Sequence, residues 1–265
     1  MLPFPIISHT TVSVPTGQQQ WTAQTTTFTV PVGVHSICAV CVGAGSGRYI
    51  SNTVIGGAGG DLRWRNNIPV TPGEVLNITA ANQTNAGTVS VSSKIVRAST
   101  SEVLLIAKGG NNNDTSSTIG VNSTGGGNGG FDTSSRGGGG AGGYSGNGGI
   151  GNGTISSAGT GGAGGAGVAF TSSSTLYGGS GGGVGLLGEG ASGAARIGSP
   201  SNASSSVGRG GSGGTDGVAT STTVSRGGLY GGGGGGTALC PGGAGAVRII
   251  WGNGRAFPSS KTTDL

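Results

Sequence analysis

The sequence predicts a mainly β protein in which a β domain carries an inserted, glycine-rich bundle of polyglycine II helices, with almost no α-helix. Of the 265 residues, 65 are glycine, and most of these lie between Gly109 and Gly245. On both sides of this region, short segments show the two-residue hydrophobic alternation and the β-branched residues that are typical of strands. No segment has a sustained apolar stripe at the period of about 3.6 residues that an amphipathic helix requires.

Residues 1–27 are interpreted as an extended N-terminal attachment arm. They contain Pro3, Pro5, Pro15 and Trp21. An arm that packs on its own domain fits this composition about as well. The segment lacks a basic region followed by an apolar stretch, and no run in the chain approaches the length of a transmembrane helix. We therefore expect a soluble protein that is made without a signal peptide.

Most of the β domain is predicted within residues 28–108. The predicted strands are TFTV (27–30), HSICAVCV (35–42), DLRWRN (61–66), EVLNITA (74–80), TVSVSSKIVRA (88–98) and EVLLIAK (102–108). Pro72 and Gly73 suit the two central positions of a type II turn, because the second of these positions needs a positive φ that glycine adopts readily.

One further strand, AVRIIW (246–251), follows the glycine-rich region. A short strand is not stable alone, so we expect it to pair with the earlier strands. We therefore assign residues 28–108 and 246–258 to one β domain. Residues 109–245 form the inserted glycine-rich domain with loops at its ends, and residues 259–265 form a polar tail.

The glycine-rich region needs backbone hydrogen bonds as its source of order, because glycine loses much conformational entropy on folding and has no side chain to bury. Collagen is excluded, since the every-third-residue period is broken repeatedly and only Pro200 and Pro241 lie in the region. Blocks such as GGX and GGXGGX suit polyglycine II instead. This left-handed helix has about three residues per turn and no internal hydrogen bonds, so its N–H and C=O groups can bond to neighbouring helices.

The chain has few residues that could support catalysis or hold a metal. It contains 8 acidic residues and 2 histidines, and no paired carboxylates or Ser/His/Asp grouping are present. Cys38 and Cys41 have the CxxC spacing, but residues three apart on a strand point to opposite faces and no second CxxC exists. We expect buried reduced thiols, no metal or other cofactor, and no enzymatic activity.

Nucleic-acid binding is not expected, although the net charge is +5 and three RGG triplets begin at Arg136, Arg209 and Arg226. RNA-binding RGG segments are dense and carry aromatic residues, whereas these triplets are scattered. Each lies where a polar loop meets a glycine block. An arginine at such a junction can cap exposed carbonyls at the end of a bundle, or contact a receptor.

The order of motifs resembles that of the glycine-rich proteins of tailed-phage virions. The resemblance runs from Phe28 to Ser260 through TFTVPVGVHSICAVCVGAG, GGAGGDLRWRNNIPVTPGEVLNITA, the glycine-rich region and GGAGAVRIIWGNGRAFPSS, and the ending AVRIIWGNGRAFPS is its most specific part. More widely, the chain resembles the glycine-rich adhesins at the tips of T-even-like long tail fibres. Its N-terminus does not match the fibre-attachment domain of those adhesins.

The resemblance implies a non-enzymatic phage tail or tail-fibre protein, made in the host cytoplasm and assembled into the virion. Its implied partners are other phage tail or fibre proteins and a host outer-surface receptor, which is a protein or a polysaccharide. No membrane insertion and no nucleic acid are expected. In the tail-fibre adhesins, loops at the ends of a polyglycine II sandwich face the receptor.

The loops between the glycine blocks contain aromatic residues, arginines and aliphatic residues that could anchor a receptor. The candidate receptor-binding residues are Phe131, Arg136, Phe170, Leu176, Tyr177, Leu186, Leu187, Arg196, Ile197 and Tyr230, with Asp132, Asp216 and Leu229 beside them. Each could equally pack over the flank of the bundle. The sequence does not say which end of the bundle faces the receptor, because consecutive antiparallel blocks send successive loops to opposite ends.

Two other functional classes share this predicted fold. A purely structural virion subunit, such as a connector or decoration protein, would need no receptor-binding loops. An ice-binding protein could use a glycine lattice, but it would need a flat and regular face that these uneven, charged loops would disrupt.

Overall fold

The computed structural model describes residues 14–47, 49–50, 54–85, 90–111, 122–132, 136–153, 155–172, 175–196, 206–219, 225–236 and 240–259. The protein is mainly β within these residues, and none of them lies in a helix. This confirms the predicted β domain and the predicted scarcity of α-helix.

Two four-stranded antiparallel sheets form a sandwich. The first sheet has the strand order β1 (Gly17–Thr22), β14 (Ala246–Trp251), β3 (Ser36–Val42) and β6 (Leu62–Pro69). The second has the order β2 (Gln24–Thr29), β7 (Val75–Ala80), β8 (Ser93–Arg97) and β9 (Val103–Ala107). Among the described residues, three hairpins lie outside the sandwich: β4 (Tyr49–Ile50) with β5 (Val54–Ile55), β10 (Ala169–Ser172) with β11 (Thr175–Gly178), and β12 (Val218–Ala219) with β13 (Ser225–Arg226).

The two central strands of the first sheet, β14 and β3, are buried on both faces. Along β14, Val247 and Ile249 point into the core between the two sheets, whereas Ala246 and Ile250 point to a second core on the outer face. Two-sided burial explains why this strand is a nearly continuous apolar run. Its place between β1 and β3 confirms that the strand after the glycine-rich region returns to the β domain.

The sandwich begins earlier than the sequence suggested. Residues 17–27 were assigned to an attachment arm, but β1 and most of β2 lie within that range. Trp21 and Phe28 enter the core between the sheets with their rings edge to face at 5.6 Å. β1 and β2 are edge strands with one exposed face, so a single large apolar residue in each is enough to pack the strand on the core. Their apolar pattern is therefore too sparse to be recognised in the sequence. Residues 1–13 lie outside the described part.

Other local predictions on the sandwich are confirmed. The turn before β7 is closed by a hydrogen bond of 2.9 Å from Glu74 N to Thr71 O, and Gly73 has the positive φ of 82°. Cys41 lies in the core between the sheets and Cys38 in the second core, so the CxxC thiols do point to opposite faces. Burial raises the pKa of both thiols.

The glycine segments are joined by backbone hydrogen bonds to one another. Segment 137–143 donates its successive N–H groups to three neighbouring segments in rotation, with a period of three residues. The N–H groups of Gly138 and Ala141 donate to the carbonyls of Gly179 and Gly182, respectively. In the same way, Gly139 and Gly142 donate to Gly57 and Gly60. Gly140 and Gly143 donate to Gly149 and Gly146, and all six distances are 2.8 to 3.0 Å. Residues three apart therefore face the same neighbour.

The carbonyl groups of segment 137–143 bond to three further segments. Gly138 O and Ala141 O accept from Gly167 N and Gly164 N, Gly139 O accepts from Gly233 N, and Gly140 O accepts from Gly130 N. Donors and acceptors together surround the segment with six neighbours. A Cβ added at Gly139, Gly140, Gly181 or Gly182 would lie 2.0 Å from a carbonyl oxygen of an adjacent segment, so only glycine permits this approach.

The glycine region is continuous with the sandwich. Residues 43–46 continue β3, residues 108–110 continue β9, and residues 56–60 and 242–245 lead into β6 and β14. Segments 43–46 and 56–60, which the sequence assigned to the β domain, therefore belong to the glycine lattice. The remaining glycine segments lie against the outer face of the first sheet, where Ala141, Tyr144, Val184 and Leu186 complete the second core.

Substitution of an interior glycine should unfold the lattice. We expect Gly182→Ala to lower the free energy of unfolding by at least about 2 kcal/mol, because its Cβ would meet Arg209 O at 2.0 Å and the backbone must shift. The matched control is Gly190→Ala, whose nearest new contact is Ser212 Cα at 3.2 Å. Thermal and denaturant melting measure both. Equal stability of the two variants would contradict the dependence on close backbone approach.

Removal of β14 should prevent folding of the sandwich. Truncation before Ala246 deletes Val247, Ile249 and Ile250, each fully buried, and exposes the edges of β1 and β3. We expect insoluble or aggregated protein by size-exclusion chromatography. Truncation after Ser259 is the control and should leave the protein soluble. A soluble, monodisperse protein that lacks β14 would refute this role.

Candidate functional site

Hydrogen-bond register sorts the loops of the glycine region into two groups. Segment 137–143 runs parallel to 56–60 and hence toward the first sheet, whereas 125–130 and 164–167 run antiparallel to it. We call one end the hairpin end, since it carries the hairpins β4–β5, β10–β11 and β12–β13 with loop 131–136. The other, the sheet end, has its turns at residues 144–146, 186–190, 212–214 and 229–231 beside the first sheet. The candidate residues divide between these two ends.

Most of the candidate residues lie at the hairpin end. Phe170 and Tyr177 are directly opposite each other in the β10–β11 register, and Leu176 is opposite Thr171 in the next pair. Tyr177 is half-buried. Arg196 also lies at this end and is half-buried, while Ile197 lies outside the described residues.

The two described ends of the loop 131–136 are joined by a buried carboxylate. Asp132 is 5% exposed, and its Oδ2 accepts hydrogen bonds from Gly56 N at 2.7 Å and from Arg136 N at 2.8 Å. Arg136 has a φ of 73°, and its carbonyl accepts from Gly236 N at 2.7 Å. Asp132 thus has a structural role, and the half-buried Phe131 and Arg136 are presented on a fixed backbone.

Arg209, the second RGG arginine, is paired with an acidic side chain. Its guanidinium contacts the carboxylate of Asp216, and both side chains are largely exposed. Burial alone would raise the pKa of Asp216. The hydrogen bond from Gly210 N and the charges of Arg209 and Arg196 outweigh it, so the pKa lies below its ordinary value. Arg209 is therefore held by Asp216 and does not cap carbonyls at a bundle end.

At the sheet end, the structure separates two neighbouring candidates. Leu186 is 3% exposed and belongs to the second core, so it is not available to a receptor and this prediction is corrected. Leu187, the next residue, is 46% exposed.

An open groove of about 310 Å³ lies at the sheet end beside β1. Leu187 and the 42% exposed Leu229 line it together with Gln20, Thr215 and Tyr230. The Tyr230 ring packs against the second core, and its hydroxyl accepts a hydrogen bond of 2.9 Å from Gln20 Nε2. Tyr230 is thus tied to the sandwich.

A second groove, which we call the flank groove, lies along the side of the glycine region. It has a volume of about 270 Å³, and its side chains come from Asp61, Lys108, Asn111, Asn128, Phe131, Asn147 and Ile150. Among these, the sequence had indicated only Phe131. Asn128 and Asn147 occupy the one non-glycine position in GGNGG and GNGG. At that position a side chain can point out of the lattice. A single asparagine within a glycine block is therefore the sequence signal that could have identified these two residues.

Within the described ranges, no three His, Cys, Asp or Glu residues are grouped so that they could hold a metal ion. No helix among the described residues is long and apolar enough to cross a membrane.

Comparison with known proteins gives no match, either to a protein-family model or to a curated protein sequence.

Removal of the Asp132 carboxylate should destabilise the hairpin end. We expect Asp132→Ala to cost about 1 to 3 kcal/mol, because Gly56 N and Arg136 N lose their acceptor. The matched control is Glu189→Ala, since the half-buried Glu189 accepts one solvent-exposed hydrogen bond from Ser145 Oγ. That variant should stay within about 0.5 kcal/mol of the wild type. Denaturant unfolding measures both, and an equal loss in the two variants would contradict the structural role of Asp132.

Proposed function

We propose that the protein is a non-enzymatic phage tail or tail-fibre protein that binds a host-cell surface receptor through loops at the ends of a polyglycine II bundle. The motif order described above motivates the phage origin. The proposal has two structural parts, which are the bundle and the recognition loops.

The hydrogen-bond rotation of segment 137–143 supports polyglycine II geometry. A helix of about three residues per turn without internal hydrogen bonds directs every third N–H group to the same neighbour. Gly138 and Ala141 follow this rule, and so do the other two pairs of donors in the segment. A β-strand would instead alternate between two sides. The six surrounding segments suit hexagonal packing of such helices.

Receptor binding is supported by the collection of hairpins and aromatic loops at one end of the lattice. The glycine segments use their backbone groups mainly to bond to one another. They can therefore form a lattice, but they offer few groups that could recognise a binding partner. The loops at the hairpin end differ in length and chemistry, and they are presented by a well-ordered scaffold. The sheet end is partly occupied by the protein's own sandwich. We therefore assign recognition to the hairpin end, and this clustering is the observation that carries the proposal.

A structural virion subunit is the second candidate. The exposed Leu187 and Leu229 beside the first sheet favour it, because neighbouring exposed apolar side chains are typical of a contact with another protein. In this case the sheet-end groove, and not the hairpin end, would determine function.

Loop replacement should separate the two candidates. We expect replacement of residues 170–177 by a neutral Ser/Gly loop of equal length to abolish binding of the labelled protein to the strains that the wild type binds in a panel of bacteria. Replacement of residues 187–189 at the sheet end is the control and should leave binding unchanged. Both variants, with the buried Gly188 kept as glycine, should melt within a few degrees of the wild type, because surface substitutions usually change stability little.

The opposite result would favour the structural subunit. If the 170–177 variant binds cells like the wild type while the 187–189 variant fails to enter virions, the hairpin end is not the receptor site.

A further inference from the structure

The flank groove contains two carboxamides whose orientation is fixed. Asn128 Oδ1 accepts from the Arg63 guanidinium, and Asn147 Oδ1 accepts from Asn128 N at 2.9 Å. Guanidinium and backbone N–H groups can only donate, so the oxygen of each amide must face its partner. The two Nδ2 groups make no hydrogen bond to another described residue. Each groove asparagine thus retains two N–H donors.

A carboxylate and an apolar wall complete the groove. Asp61 Oδ1 accepts from Gly129 N at 3.0 Å and Oδ2 accepts from Arg63 Nη2 at 3.1 Å, so the carboxylate is fixed in place. The half-buried Phe131 and the 38% exposed Ile150 supply the apolar surface.

The backbone of the groove is already used by the lattice. Gly59 N donates to Gly130 O, and Gly148 N donates to Asn128 O, at 2.7 and 2.8 Å. An extended peptide binds mainly by adding backbone hydrogen bonds to exposed N–H and C=O groups. The groove offers side-chain groups instead, and these favour a ligand with many hydroxyls.

We propose that the flank groove binds a saccharide unit. A sugar ring has hydroxyls that can accept from the Asn128 and Asn147 amides, and a C–H face that can lie on Phe131 and Ile150. The volume of about 270 Å³ is slightly below the range of roughly 300–1,000 Å³ for drug-sized ligands, which suits one ring of a longer glycan. The site lies apart from residues 170–177, so it does not require that the hairpin end bind a cell.

The test is a titration of the full-length, ¹⁵N-labelled protein with N-acetyl-D-glucosamine, D-glucose, D-galactose and L-rhamnose, each up to about 50 mM, which covers roughly millimolar affinity. At least one sugar should shift the amide resonances of Gly129 and Gly148 in a saturable manner. If none of the four sugars does so, or if the shifts lie elsewhere, the proposal is overturned.

Variants identify the groups that bind. Asn147→Asp keeps the acceptor for Asn128 N but removes the Nδ2 donors, and it should weaken binding at least tenfold. Asn77→Asp, on the exposed face of the second sheet, introduces the same charge and should bind like the wild type. If Asn147→Asp does not fold, Ile150→Ala removes part of the apolar wall at an exposed position and should weaken binding severalfold. Wild-type affinity in the folded variant would overturn the site.

Discussion

Hydrogen bonding between glycine backbones is the interaction on which this structure depends. Each glycine segment must find its partners in other segments, and these partners lie so close that a Cβ at Gly139 or Gly182 would be 2.0 Å from a carbonyl oxygen. Ordering glycine is costly in conformational entropy. The cost can be offset because a central segment is bonded on all sides at once, so that its backbone groups are satisfied without any side-chain core.

The first sheet connects this lattice to an ordinary hydrophobic core. Its inner face packs on the second sheet through residues such as Ile249, and its outer face packs on Tyr144 and Leu186 through residues such as Ile250. Segments 56–60 and 242–245 run directly into β6 and β14, so the spacing of the strands is passed to the glycine segments. The chain therefore has one continuous structure, in which the β sandwich orients the lattice.

Both proposed binding surfaces consist of side chains at the positions where the lattice has room for them. Along a glycine segment only one position in three can carry a side chain outward, and Asn128 and Asn147 occupy such positions beside the same groove. At the segment ends, loops are free to differ, and a single buried carboxylate at Asp132 suffices to fix one of them.

The sequence by itself determined the features that depend on local pattern: most strands of the sandwich, the return of AVRIIW as β14, and the opposite orientation of Cys38 and Cys41. These follow from the two-residue period of a strand. Tertiary structure decided that residues 17–27 belong to the sandwich, that Leu186 is buried while Leu187 is exposed, and that the hairpins share one end. It also brought Asn128 and Asn147 together. These features depend on hydrogen bonds between segments that are distant in the chain, and nearly identical glycine blocks do not encode which of them become neighbours.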